Sequence, residues 1–176
     1  EIMRVSRKIV SEKGLPALNM RALAKECGIA LGTLYNYYSD KDELVVAAIE
    51  SVWQDILEKS APDSGVRFSQ YVTQTYAHII ERLKDYPDFL AAHSISVAGS
   101  AKGKARGMME RCFGNIRGYL HAALREDKNV DRSIFSETFR EEDLIEHILD
   151  TITISIINGK PDCATLTEIL DRLLYR

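Results

Sequence analysis

The chain has 176 residues, 45% hydrophobic and 28% charged, with a formal net charge of -3 at pH 7. That balance suits a globular protein with a substantial core and excludes a disordered or fibrous chain. No apolar run approaches the roughly 20 residues that span a bilayer, so no membrane partner is expected.

Cys27, Cys112 and Cys163 stand far apart without CxxC spacing, which fits reduced thiols and a cytoplasmic location better than a disulfide framework. Four histidines without a neighbouring cluster of His, Cys, Asp or Glu offer no metal-binding spacing, and neither metal nor cofactor is expected. The charge is unevenly spread. Residues 1–41 carry seven Lys and Arg against four Asp and Glu, so the N-terminal end is basic and the remainder acidic. The sequence begins with Glu1, not Met, and any basic arm before it would lie outside this sequence.

Apolar positions recur at helical spacing almost throughout, which predicts an all-α protein of about nine helices. Breaks fall at Gly14-Leu15-Pro16, Gly28, Pro62 to Gly65, near Pro87, from Gly99 to Gly107 and from Asp127 to Ser136. Asn19 reads as an N-cap with Leu18 stapling onto Leu23, and the helix that follows buries Met20, Leu23, Ala24 and Cys27. Gly28 permits the left-handed turn that ends it, and a second short helix follows over about Leu31 to Tyr38. Two short helices joined by a tight glycine turn make a helix-turn-helix. A third helix opens at Asp40 with Glu43 three residues on, a capping box, and its apolar face braces the pair.

Further along, Phe68, Tyr71, Val72, Thr75, Tyr76, Ile79, Ile80 and Leu83 form one stripe, and Met109, Cys112, Phe113, Ile116, Leu120, Ala123 and Leu124 another. Thr151 to Ile156 alternates like a strand. It also continues the helical face of Leu144, Ile148 and Leu149, and Asn158-Gly159 suits a helix end, so it is read as helix.

Gly28 to Tyr38, reading GIALGTLYNYY, and then Asp40 to Leu44, reading DKDEL, resemble the signature of the TetR family of bacterial regulators. Ile9-Val10, Glu12-Lys13-Gly14 and Met20 to Ala24 fit the same pattern, so the specific resemblance covers roughly residues 9–49. The resemblance implies an N-terminal three-helix DNA-binding unit (residues 1–46) and a C-terminal helical bundle for ligand binding and dimerisation (residues 47–176). It implies that the second short helix enters the major groove, with Thr33 and Tyr35 on phosphates, Asn36 and Tyr37 near base edges or backbone, and Gly32 on the same surface. Arg21 would reach a guanine or a phosphate, and Lys41 would bind a phosphate at a helix N-terminus.

Family members carry a small hydroxyl residue and then a Lys or another polar residue where this chain has Ala30-Leu31. A helix cap and a phosphate contact are therefore expected to be absent, with Leu31 touching a thymine methyl instead. The resemblance further implies a small-molecule effector, with Tyr71, Tyr76, Met109 and Phe113 as candidate contacts and His78, His93 and His121 beside them. It implies a homodimer that pairs through Leu144, Ile148, Ile152, Ile156, Leu166, Leu170 and Leu173, spacing two reading helices about 34 Å apart on a near-palindromic operator.

The expected function is thus a ligand-responsive transcriptional repressor. No nucleophile elbow, phosphate-cradling glycine loop or paired-ligand spacing supports an enzyme. The alternative is an interaction protein that keeps this fold without binding DNA, for which Leu31 and the acidic overall charge speak.

Overall fold

The structure, a computed structural model, describes residues 1–57, 65–91 and 102–175. In the helix Lys102–Glu126 it describes the side chains of residue 107 and residues 111–126. Among the described residues there are eight α-helices and no strand: α1 (Ile2–Lys13), α2 (Met20–Cys27), α3 (Leu31–Tyr35), α4 (Lys41–Leu57), α5 (Phe68–Leu83), α6 (Lys102–Glu126), α7 (Glu141–Ile157) and α8 (Ala164–Leu174). Short 3-10 turns stand at Leu15–Ala17 and Arg132–Ile134. The all-α class expected from the periodicity is the observed one. The alternating Thr151–Ile156 stretch is helical, and Thr151 and Thr153 return their hydroxyls to the carbonyls of His147 and Leu149 four residues back.

The chain divides into two compact units, residues 1–58 with 82–112, and residues 59–81 with 113–176. In the first, α1 packs on α2, α4 and the Leu15–Ala17 turn, and α2 packs on α3. Val10, Leu18, Leu23, Leu34, Leu44, Ala48, Val52 and Ile56 are almost completely withdrawn from solvent there. Such burial is worth about 1.5–3 kcal/mol for each large aliphatic side chain. Trp53 and Phe89, also buried, meet edge to face with ring centroids 5.7 Å apart.

In the second unit, the core is made by Phe68, Tyr71, Val72, Tyr76 and Ile79 of α5, Ile116, Leu120 and Leu124 of α6, and the inner faces of α7 and α8. A buried carboxylate, Asp127, ties its ends together. One oxygen accepts from the Phe68 N–H at 2.8 Å and the Tyr175 hydroxyl at 2.6 Å, the other from the Asn129 backbone N–H at 2.9 Å and Nδ2 at 3.2 Å. Burial pushes the Asp127 carboxyl up, but these four donors outweigh it and hold it below the ordinary aspartate value. Its partner phenol, Tyr175, is pushed up to about 12 by burial and by the carboxylate it serves. α7 opens on three acidic residues, which suit the positive end of its dipole, and closes at Gly159, whose φ of 65° any other residue type adopts with strain.

Candidate nucleic-acid interface

The backbone chemistry of residues 18–44 sets the site. Asn19, in an extended conformation, accepts the Ala22 N–H at 2.9 Å and so caps α2, while Leu18 and Leu23 are fully buried beside it. Gly28, with φ at 65°, ends α2 in the left-handed conformation, and α3 begins three residues later. Leu34 is the one fully buried side chain of α3 and anchors it.

The helix is shorter than its pattern suggests, ending at Tyr35 rather than Tyr38. The Asn36 and Tyr37 N–H groups donate to the carbonyls three residues back, Thr33 at 3.2 Å and Leu34 at 3.0 Å, so the last turn tightens and leaves the α-helical path. Ala30 provides no side-chain cap to α3, in keeping with the expectation drawn from Ala30-Leu31. α4 is capped more fully: Asp40 accepts the Glu43 N–H at 2.7 Å, and Glu43 reaches back to the Ser39 N–H at 2.8 Å and the Ser39 hydroxyl at 2.7 Å. That return bond lands one residue before the position a simple capping box uses.

Of the residues expected to face DNA, Arg21, Gly32, Thr33, Tyr35, Asn36, Tyr37 and Lys41 are exposed and Leu31 is half-buried. Tyr35 and Tyr37 are 50% and 64% exposed, large values for aromatic side chains with no described core contact to explain them. Tyr38 is half-buried, and burial followed by the Glu43 carboxylate pushes its phenol up, as packing demands. A Cβ built on Gly32 meets nothing within 4 Å, so the protein itself does not require glycine there.

Electrostatics separates the basic residues further. Arg4 pairs with Glu1, Arg7 with Asp55, Lys8 with Glu12 and Lys13 with Glu26. Arg21, Lys25 and Lys41 make no ion pair among the described residues. The unspent positive charge of this end of the chain therefore sits on α2 and at the start of α4, on either side of α3. Lys25 was not singled out from the sequence. Its signal was available only in the pairing of its neighbours, which depends on the fold.

The residues expected to contact an effector fare differently. Tyr71 and Tyr76 are buried, and the Tyr76 hydroxyl is committed to the Lys160 carbonyl at 2.7 Å. Phe113 is half-buried, whereas the Met109 side chain and His93 lie outside the described residues. His78 Nε2 and His121 Nδ1 are buried atoms without a hydrogen-bond partner among the described residues.

The expected pairing stripe requires correction. Leu144, Ile148, Ile152, Ile156, Leu166 and Leu170 are buried inside the chain's own second unit and Leu173 is half-buried, because that stripe faces the bundle core. The apolar side chains that α7 and α8 leave in solvent are Ile154, Ile157 and Ile169, at 57%, 62% and 53% exposure.

A sequence profile described as "Bacterial regulatory proteins, tetR family" matches residues 2–48, the stretch from α1 into α4. An uncharacterized HTH-type transcriptional regulator of Haemophilus influenzae is 32% identical over 94 residues, 52% of this chain and 50% of that protein. The HTH-type transcriptional regulator UidR of Escherichia coli strain K12 is 32% identical over 75 residues, 42% of this chain and 38% of UidR. The chain thus spans half or less of the curated relatives it matches. Over nearly the whole length, the fold is similar to the crystal structure of TetR from Acinetobacter baumannii AYE, with a TM-score of 0.53, 16% identity, and coverage of 99% of this chain and 97% of that one. Residues 2–48, from α1 into α4, thus match the N-terminal segment of the TetR family of bacterial regulatory proteins, in keeping with the relatives named as helix-turn-helix regulators, and the chain shares its all-helical fold with a TetR structure.

Proposed function

We propose that this chain is a transcriptional repressor that reads a near-palindromic operator on double-stranded DNA as a homodimer and is released by a small molecule in the cytoplasm. The observation that carries the reading is the surface around α3: Tyr35, at the end of a helix pinned by Leu34, and Tyr37, in the turn after it, project into solvent, flanked in the sequence by the unpaired Arg21, Lys25 and Lys41. Aromatic and short polar groups backed by unneutralised cations suit a phosphate-lined groove, where cations position the protein and base edges select the sequence. Asn36 and Tyr37, in the tight turn after α3, are assigned to base edges or backbone, Thr33, Tyr35 and Lys41 to phosphates, Arg21 to a guanine or phosphate, and Leu31 to a thymine methyl.

The reading surface is assigned to residues 1–46, and effector binding and pairing to residues 47–176. Pairing is assigned to the solvent-facing edge of α7 and α8 marked by Ile154, Ile157 and Ile169, an apolar surface that a second copy would cover. Tyr71, with the unpartnered His78 Nε2 on the same helix, is the strongest candidate for effector contact.

The test is binding of the wild type and a Tyr37→Ala, Lys41→Ala double variant to a duplex from the protein's own upstream region at two salt concentrations. A wild type that binds with a steep salt slope, and a variant that loses most of that affinity, support the assignment. If wild type binds neither this duplex nor a randomised pool, the DNA reading is wrong and the interaction-protein alternative replaces it.

A further inference from the structure

The first unit is discontinuous: residues 82–112 pack with residues 1–58. Beside a bidentate pair of Arg111 with Glu50, both bonds at 2.7 Å, these two stretches are joined by a cluster of polar contacts around one side chain. Asp55, near the end of α4, accepts from Arg82 Nη2 at 2.5 Å and from the Tyr86 hydroxyl at 2.8 Å through the same oxygen, while its other oxygen lies 3.7 Å from Arg7 Nε of α1. Arg7 also donates to the buried Ser51 hydroxyl one turn earlier on α4, at 2.6 Å. From α1, the Ser11 hydroxyl donates to the Asp85 carbonyl at 2.6 Å, and Arg82 makes a second ion pair with the Asp85 carboxylate at 2.5 Å. Three segments distant in sequence therefore meet at one half-buried carboxylate.

The turn that carries Tyr86 is held in a shape it would not choose. Asp88, with φ at 58°, is the one non-glycine residue with positive φ among the described residues, a conformation that persists where the surroundings over-determine it. On the apolar side of the same junction, Phe89 lies against Trp53, two residues before Asp55 on α4.

We propose that Asp55 is a positioning residue for DNA reading: it clamps α1 and α4 to the turn of residues 84–88, and DNA affinity falls when Arg82 and Tyr86 leave it. The proposal rests on the DNA-reading assignment above and adds the element that governs it. α4 carries Lys41 at its first turn and Asp55 near its last, so a change at one end of the helix displaces a phosphate contact at the other. With the carboxylate engaged, Asp55 and Asp85 balance Arg7 and Arg82; with Asp55 neutralised, Arg7 loses its carboxylate partner and Arg82 keeps only Asp85, which weakens the hold of α4 on α1 and on the turn. Any event that pulls on Arg82, which stands in the last turn of α5, acts on this balance.

Trp53 is the single tryptophan of the chain and reports the junction directly. The experiment compares wild type, Asp55→Asn, Asp55→Glu and Tyr86→Phe, all full length. It measures acrylamide quenching of Trp53, thermal unfolding, and affinity for the upstream duplex at two salt concentrations. In Asp55→Asn, Trp53 is expected to become more accessible to quencher, and DNA affinity to fall by roughly two- to thirty-fold, the range of coupling mutations remote from a ligand. The salt slope should stay unchanged, because no phosphate contact is deleted. Asp55→Glu should recover most of that affinity, and Tyr86→Phe should reproduce a smaller part of the loss in a protein that melts close to wild type.

The proposal is overturned if wild type binds the duplex and Asp55→Asn binds within twofold of it. It is equally overturned if the loss appears only where the variant is already unfolding, with neither Glu rescue nor a Tyr86→Phe effect. A wild type that binds no duplex defeats the DNA reading, and the claim that Asp55 governs it, whatever the quenching shows. Unchanged quenching in Asp55→Asn alongside normal wild-type DNA binding defeats the clamp alone.

Discussion

Replacing Gly32 by Ala should move folding and DNA binding in opposite directions. Gly32 occupies the second position of α3 with its backbone on the helical side of φ, is exposed, and has open space where a Cβ would stand. Within the protein, alanine can only help: it restricts the unfolded chain and favours the helix by about 0.5–1 kcal/mol. For a chain of this size that is roughly a 1–4 °C rise in the unfolding midpoint. At the DNA surface the same methyl group intrudes where the backbone of α3 would approach the duplex. Tenfold weaker binding, about 1.4 kcal/mol, is the expected cost. Thermal unfolding of the free protein and a titration of labelled upstream duplex at fixed salt give the two quantities independently. A variant that melts higher and binds DNA as tightly as wild type would refute the reasoning, since it would show that α3 does not come within a methyl group of the duplex. A lower melting temperature would refute the other half, that Gly32 has no role inside the protein.

Three further outcomes follow from the same structure. Ala30→Ser supplies the missing cap of α3 and should raise stability by about 1 kcal/mol in thermal or urea unfolding, while strengthening DNA binding through a better-formed helix N-terminus. Asp127→Asn sets an amide group against some of the four donors that now converge on the carboxylate, and should cost about 2–3 kcal/mol, seen as an unfolding midpoint roughly 4–12 °C lower. Because the folded-state value of Asp127 lies below its unfolded value, its contribution is complete above the unfolded value and is lost as pH falls through the folded one. The gap between wild type and Asp127→Asn should therefore narrow as unfolding is measured further into the acid range. Ile154→Lys should leave stability of the single chain within about 0.5 kcal/mol, since the side chain is exposed, yet shift sedimentation from dimer to monomer. An unchanged sedimentation coefficient, either as dimer or as monomer, would remove that edge from the pairing assignment.

The helix-turn-helix was readable from the sequence because its determinants are local. Asn19 caps three residues on, Gly28 alone permits the left-handed link, and Leu34 needs only its own helix period to declare itself buried. The end of α3 was not readable, since the choice between bonds to the third and fourth preceding carbonyl is a matter of fractions of an ångström that residue type does not encode. The stripe from Leu144 to Ile156 shows the complementary failure. Periodicity announces that a face is buried but not by what, and here the chain's own bundle covers it, leaving Ile154 and Ile157 on the other side of the same helix. Asp55 gave no signal at all: its ion pair with Arg82 joins residues 27 apart, and the Arg7 to Ser51 bond residues 44 apart, separations at which sequence pattern is silent.

The discontinuity of the first unit also bears on how the protein comes into being. When the chain has left the ribosome only as far as residue 58, Trp53 has no Phe89 to pack against and Asp55 faces Arg7 without Arg82 or Tyr86. The helices around Gly28 can form early from short-range contacts, but their anchorage has to wait for Arg82 to Phe89, about 24 to 31 residues further along the chain, a non-local closure that slows folding. A transplant of residues 1–46 onto another scaffold would carry every group assigned to DNA, and Arg7, but not Ser51 and Asp55 at the far end of α4 nor Arg82, Tyr86 and Phe89, which hold that end. Such a hybrid should express as a looser, protease-sensitive head unless the stretch from Arg82 to Phe89 travels with it.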